Sequence, residues 1–143
     1  KNDKGRFDIL KTDFPMTIID DTYNGNPDSV IAAIKAMKEL FPNERKIVCL
    51  GALKELGDYL HTGYERIVNV ANEYGVSELV LVGITDTFEN APIDSGVKTK
   101  LIYVNDNLKC VDYLKKNMKL DDVILCKGSH GAKTWEVIEG LLK

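Results

Sequence analysis

The residues Asp20-Asp21-Thr22-Tyr23-Asn24-Gly25-Asn26-Pro27-Asp28-Ser29 gather carboxylates, a phenol, amides and hydroxyls directly after the apolar run Met16-Thr17-Ile18-Ile19. A carboxylate at the end of a strand can accept paired hydrogen bonds from a ribose diol. Asp20 and Asp21 are both candidates for that role. The same stretch also suits a plain strand-to-helix turn. Asn26 can cap the helix, Pro27 fits its first position and Asp28 complements its dipole. A second chemical loop is Leu50-Gly51-Ala52-Leu53-Lys54-Glu55-Leu56-Gly57, followed by His61. It is not a phosphate-binding P-loop, because Asp58 stands where such a loop carries Lys. Glu55 can receive an ammonium or organise the loop, and His61 can act in catalysis or bond locally at the start of a helix. The third is Lys127-Gly128-Ser129-His130-Gly131. There a cation, a hydroxyl and the backbone amides of a helix start suit an anion such as a carboxylate.

These loops need strands and helices to hold them. Residues 6–11 alternate in polarity and read as a half-exposed strand, and Met16 to Asp20 as a more buried one. Val30, Ile34, Met37 and Phe41, with Ala33 and Leu40 beside them, recur at helical spacing until Pro42-Asn43 stops the helix. Residues 46–51 form a short apolar strand ended by Gly51. A helix from Leu60 to Tyr74 turns Tyr64, Ile67, Val68 and Ala71 inward, with Gly75 past its end. Residues 78–83 read as another buried strand, 85–96 as a short helix and loop, and Lys100 to Val104 as a strand. Asn105 or Asp106 caps a helix built on Leu108, Val111, Leu114 and Met118. Residues 122–127 are the last strand, and Trp135, Ile138, Leu141 and Leu142 face inward from the last helix. Strand–helix alternation of this kind predicts an α/β three-layer sandwich around a mostly parallel, Rossmann-like sheet of about six strands, with the first strand antiparallel at an edge.

With 143 residues and a formal charge of −3, the chain has the size of one domain. The absence of a basic run or an aromatic-interleaved basic patch argues against nucleic acid as a partner. No apolar stretch approaches the roughly 20 residues that span a bilayer, and no secretory signal pattern is present. Cys49, Cys110 and Cys126 are odd in number and lack metal-ligand spacing, so neither a disulfide framework nor a zinc site is expected. That usage fits a reducing, cytoplasmic setting. Residues 1–6 are polar and read as an interdomain linker remnant, with the domain proper at 7–143. A start inside a linker reads as a piece of a longer polypeptide.

The pattern D-x-Y-N-x-N-P-x-S resembles the opening of the C-terminal domain of the Mur ligases, in the form used by the dipeptide-adding branch. Gly5-Arg6 matches the family's interdomain linker, Leu50 to Gly57 its LG-x-M-x-ELG segment with His61 and Gly63 beyond, and Lys127-Gly128-Ser129 with Gly131 and Glu136 its KGSRG…E close. Gly25 stands where the family usually has Ala, and His130 where it usually has Arg. The resemblance implies an ATP-dependent ligase of peptidoglycan synthesis, adding D-Ala-D-Ala to UDP-MurNAc-tripeptide through an acyl phosphate. It implies that Arg6 and Asp21, with Asp20 as the near alternative, contact ATP. Tyr23, Asn24, Asn26, Glu55, His61, Lys127 and Ser129 are then the substrate-facing residues, with Lys127 and Ser129 on the terminal carboxylate. Mg²⁺ and the phosphates belong to a central domain. No metal ligand is assigned within this chain, which is expected to be inert alone and to work in a monomer beside its own N-terminal and central domains.

Two other readings compete. One is a Mur-type ligase that joins a different amino acid or acts on a non-murein substrate. The other is a nucleotide-binding or receiver-like module, but a receiver needs its acceptor Asp at the end of a middle strand, where this chain has Leu50-Gly51. Loops that follow parallel strands converge on one edge of the sheet. The turns bearing Asp21, Glu55 and Lys127 are therefore expected to share one rim.

Overall fold

A computed structural model describes residues 4–54, 57–90 and 98–143 of the chain. Glu55, residues 1–3 of the expected linker and residues 91–96 of the expected loop lie outside the described residues. The strands are β1 (Asp8–Ile9), β2 (Thr17–Asp21), β3 (Lys46–Gly51), β4 (Glu78–Val82), β5 (Lys100–Val104) and β6 (Val123–Lys127). They form one six-stranded sheet in the order β1-β2-β6-β3-β4-β5. Among the described strands only β1 runs antiparallel, on the edge beside β2 as expected, and it is shorter than the strand expected over residues 6–11. The apolar runs of β3, β4 and β6 are buried along their whole length. That is the signature of parallel strands covered on both faces.

The helices are α1 (Pro27–Leu40), α2 (Leu60–Glu73), α3 (Asn107–Asn117) and α4 (Trp135–Leu141). Side chains alternate across a strand, so each strand feeds two cores. Ile19, Leu50 and Leu125 pack with Val30, Ile34 and Met37 of α1 and Ile67 and Val68 of α2. Ile18, Cys49 and Cys126 pack on the opposite face with Cys110 and Leu114 of α3 and Ile138 of α4.

Local chemistry sets the helix ends. Asn26 and Ser29 form a reciprocal capping box, with Asn26 Oδ1 accepting from the Ser29 amide at 2.9 Å and Ser29 Oγ from the Asn26 amide at 3.0 Å. Beyond α2, Gly75 takes φ +74°. The amides of Gly75 and Val76 then reach the carbonyls of Asn72 and Ala71, the Schellman closure that ends a helix. Asp106, rather than Asn105, caps α3 through the Lys109 amide at 2.8 Å.

Three apolar side chains assigned to the core lie outside it. Leu40, Leu108 and Leu142 are 53 %, 69 % and 41 % exposed. Leu108 falls in the first turn of α3, and the inward positions below it are taken by Cys110, Val111 and Leu114. Leu142 follows the last turn of α4, whose inward face is Val137, Ile138 and Leu141.

The amino-terminal ends of the strands are tied by charge. Arg45 donates to Glu78 at 2.7 Å and to Asp122 at 2.6 Å, and Tyr113 donates to Glu78 at 2.5 Å. The Tyr113 phenol is pushed up to about 12, first by burial and then by its hydrogen bond to Glu78 and that carboxylate's charge, while Arg45 acts in the opposite sense. Between pH 10 and about 12, therefore, the folded state keeps a proton that the unfolded chain has lost. The stabilisation is full below the ordinary tyrosine value and disappears as pH rises through the folded one. Tyr113 is only part-buried, so solvent screening holds the effect to about 1 kcal/mol. In urea unfolding, the stability gap between the wild type and Tyr113→Phe narrows from about pH 8 to about pH 11.5. A gap that stays constant over that range excludes this linkage.

Candidate functional site

The carboxyl ends of β2, β6 and β3 lie side by side, because all three run parallel in adjacent positions. Their turns meet. A Cβ on Gly25 would stand 2.8 Å from the Gly128 carbonyl oxygen and 3.2 Å from Leu53. An alanine at that position would require these turns to give way. Ser129 donates through Oγ (2.8 Å) and through its amide (3.2 Å) to the Ala52 carbonyl. The Leu53 amide is held by the Tyr64 hydroxyl at 3.0 Å, and burial raises the pKa of that phenol. The shared rim thus includes the β3 turn through Lys54, while Glu55 itself is outside the described residues.

The two adjacent aspartates part company. Strand alternation turns Asp20 toward the α4 face and Asp21 toward the α1 face. Asp20, 6 % exposed, accepts from the Thr22 hydroxyl (2.6 Å) and amide (3.1 Å) through Oδ1. It lines a cavity of about 800 Å³ with Tyr23, His130, Trp135 and Glu139. Asp21 accepts from the Phe7 amide through Oδ1 at 2.9 Å, and its Oδ2 lies 3.0 Å from Lys127 Nζ. The described part of the linker is pinned to the same turn. Tyr23 donates its amide to Gly5 at 2.8 Å, and the Arg6 guanidinium lies 3.9 Å from the Tyr23 ring centroid.

Lys127 is not an exposed cation on this rim. Its side chain is 2 % exposed, and its ammonium bonds Asp21 and the Asn24 carbonyl, the latter at 3.0 Å. The cation that lines the cleft is Lys54. The cleft, about 630 Å³, is formed by Tyr23, Asn24, Lys54, Ser129, His130 and Gly131. The signal for Lys54 was its place beside Glu55, in a turn after a central strand. Tyr23, Asn24 and Ser129 line this one cleft together. Asn26 is engaged in the capping box. His61 lies on α2, where Nδ1 is 2.8 Å from Asp86 and the ring stacks on Phe88 with centroids 4.9 Å apart. It lines neither of these two cavities. Among the described residues, no group of three or more His, Cys, Asp or Glu could hold a metal ion, and no helix is long and apolar enough to cross a membrane.

The sequence profile of the family described as "Mur ligase, glutamate ligase domain" matches residues 5–130. UDP-N-acetylmuramoyl-tripeptide–D-alanyl-D-alanine ligase of Bacillus subtilis is 27 % identical over 139 residues, a match covering 96 % of this chain and 30 % of that protein. The protein of the same name from Buchnera aphidicola is 34 % identical over 131 residues, covering 88 % and 27 %. The crystal structure of the MurF ligase of Thermotoga maritima in complex with ADP superposes with a TM-score of 0.77 at 26 % identity, covering 99 % of this chain and 31 % of that one. The chain thus spans about 30 % of the length of the relatives it matches. With that family model matched over residues 5–130 and the fold shared with the ADP-bound ligase, the chain belongs to the Mur ligase family, as its C-terminal domain.

Proposed function

We propose that this chain works as the C-terminal domain of a cytoplasmic, monomeric, ATP-dependent ligase that adds D-Ala-D-Ala to UDP-MurNAc-tripeptide in peptidoglycan synthesis. The observation that carries the reading is the convergence of the turn after Asp21 (through Tyr23 and Asn24) with Lys54 and Ser129 on one cleft. Asp21 and Arg6 contact the nucleotide. An ionised carboxylate has about four lone-pair sites. Phe7 and Lys127 occupy two of those on Asp21, and the others suit a ribose diol. Asp20, turned to the other face and bonded to Thr22, takes the local capping role.

Bound ATP supplies the phosphoryl group that activates the tripeptide carboxylate, and the Mg²⁺ and phosphate contacts belong to the central domain. This domain's own residues bind and orient the acceptor. Tyr23, Asn24 and Ser129 present phenol, amide and hydroxyl groups to a zwitterionic dipeptide, and Lys54 offers its ammonium to the terminal carboxylate. Closure against the N-terminal and central domains excludes water from the reaction. The isolated domain folds but does not ligate.

The test uses the complete ligase. D-Ala-D-Ala is expected to be preferred over single amino acids by roughly tenfold or more in kcat/KM. Asp21→Asn is expected to raise KM for ATP about tenfold, the scale of one charge-assisted hydrogen bond. Preference for a single amino acid would assign the chain to another branch of the family. An unaltered KM for ATP would remove Asp21 from the nucleotide site.

A further inference from the structure

We infer that Lys127 is a positioning residue: it holds Asp21, and through Asp21 the Arg6 segment, in the arrangement that meets the nucleotide. The inference rests on the nucleotide role proposed for Asp21 and assigns a task to a side chain that touches no ligand.

Lys127 ends the central strand β6, directly opposite Asp21 in the parallel β2·β6 register and opposite Leu50 of β3. Side chains paired across parallel strands share a face, so the ammonium is delivered to Asp21 by the ladder itself. A lysine that is 2 % exposed needs compensation for its charge, since an unpaired buried ion is strongly destabilising. Asp21 Oδ2 supplies the counter-charge at 3.0 Å and the Asn24 carbonyl a second acceptor at 3.0 Å. The remaining Asp21 oxygen receives the Phe7 amide. The Gly5 carbonyl receives the Tyr23 amide. Arg6 therefore sits between two hydrogen bonds to the same turn, one from the Tyr23 amide to the Gly5 carbonyl and one from the Phe7 amide to the Asp21 carboxylate. One chain of contacts runs from Lys127 to Asp21 to Phe7, and it fixes the spacing of the two groups proposed to touch the nucleotide. Lys127 also pins Asn24, so the same ammonium ties the nucleotide side of the rim to the acceptor side.

The experiment is a double-mutant cycle in the complete ligase with Asp21→Asn, Lys127→Met and both together, reading KM for ATP, KM for UDP-MurNAc-tripeptide, kcat and the melting temperature. Lys127→Met is expected to raise KM for ATP about tenfold, with KM for the tripeptide substrate within about twofold of wild type. In the Asp21→Asn background it is expected to add less than about a further twofold, because the two residues act as one unit. Where Lys127→Met fails to fold, Lys127→Gln keeps donors toward Asp21 and Asn24 without the charge, and it is expected to raise KM for ATP by about threefold. The inference is overturned if Asp21→Asn raises KM for ATP while the Lys127 variants leave it unchanged. It is also overturned if the effects of the two sites simply multiply. No effect of Asp21→Asn on ATP would sink the proposed role of Asp21 instead, whatever Lys127 does.

Discussion

Arg45→Met is expected to lower the stability of the domain by about 3 kcal/mol, seen in urea unfolding as a lower midpoint at an unchanged slope. The reason is the state of the two partners left behind. Asp122 is 2 % exposed and Glu78 11 %, and Arg45 is the basic partner of both. Removing one member of a buried ion pair strands a charge and typically costs 3–5 kcal/mol, whereas an exposed pair is worth about 0–1 kcal/mol. Arg45 is itself 26 % exposed, so the lower end of the buried range applies. The carboxylates keep some support, because Asp122 also accepts the Lys119 amide at 2.7 Å and Glu78 the Tyr113 hydroxyl. A loss below about 1 kcal/mol would mean that water enters the cluster and that Arg45 behaves as a surface residue. The network clamps the starts of β3, β4 and β6, and the register set there determines where the same strands end.

The strands β3, β4 and β6 could be read from the sequence because a short β-branched apolar run bounded by Gly or charge has few other uses. The capping box of α1 could be read because its chemistry is local. Strand order could not. Nothing local says that β6, last in the chain, is inserted between β2 and β3. Yet that insertion is what places Lys127 beside Asp21 and turns an apparent anion-binding lysine into a buried clamp. The Asp20/Asp21 ambiguity has the same origin, since a shift of one residue in register exchanges the two faces of a strand. The core role of Cys110 is hidden in the sequence because helical periodicity is carried by larger apolar residues. It packs against Cys49 on the α3 face, where hydrogen bonding to Cys110 and Cys126, followed by burial, pushes the Cys49 thiol well above its ordinary value. Leu108 misleads for the opposite reason: its spacing is helical, but it lies in the first turn and is 69 % exposed.

Gly51→Ala is expected to cost about 2–3 kcal/mol and to depress ligation by the complete enzyme, because it forces apart the turns that build the cleft. A Cβ at position 51 would overlap the Thr134 hydroxyl and stand 3.0 Å from the Ala132 methyl. The facing Gly128 is as tightly enclosed, its own Cβ position lying 3.1 Å from the Gly51 Cα. The colliding hydroxyl is also exceptional. Thr134 Oγ1 is buried with no hydrogen-bond partner among the described residues. An unpartnered buried hydroxyl carries a desolvation cost of about 1–3 kcal/mol. Thr134→Ala alone is therefore expected to be neutral within about 1 kcal/mol, the relief of the hydroxyl offsetting the small void. In the Gly51→Ala background, Thr134→Ala should restore about half of the lost stability, since it removes the nearest obstacle but leaves Ala132 in place. Such non-additivity is the mark of two groups competing for one space. Equal losses with Thr or Ala at position 134 would show that the Ala132 methyl, not the Thr134 hydroxyl, sets the Gly51 requirement. A rescue would show that the two glycines are there so that Thr134 can pack beneath the crossing turns, bringing the β3 and β6 ends close enough for Ser129 to reach Ala52.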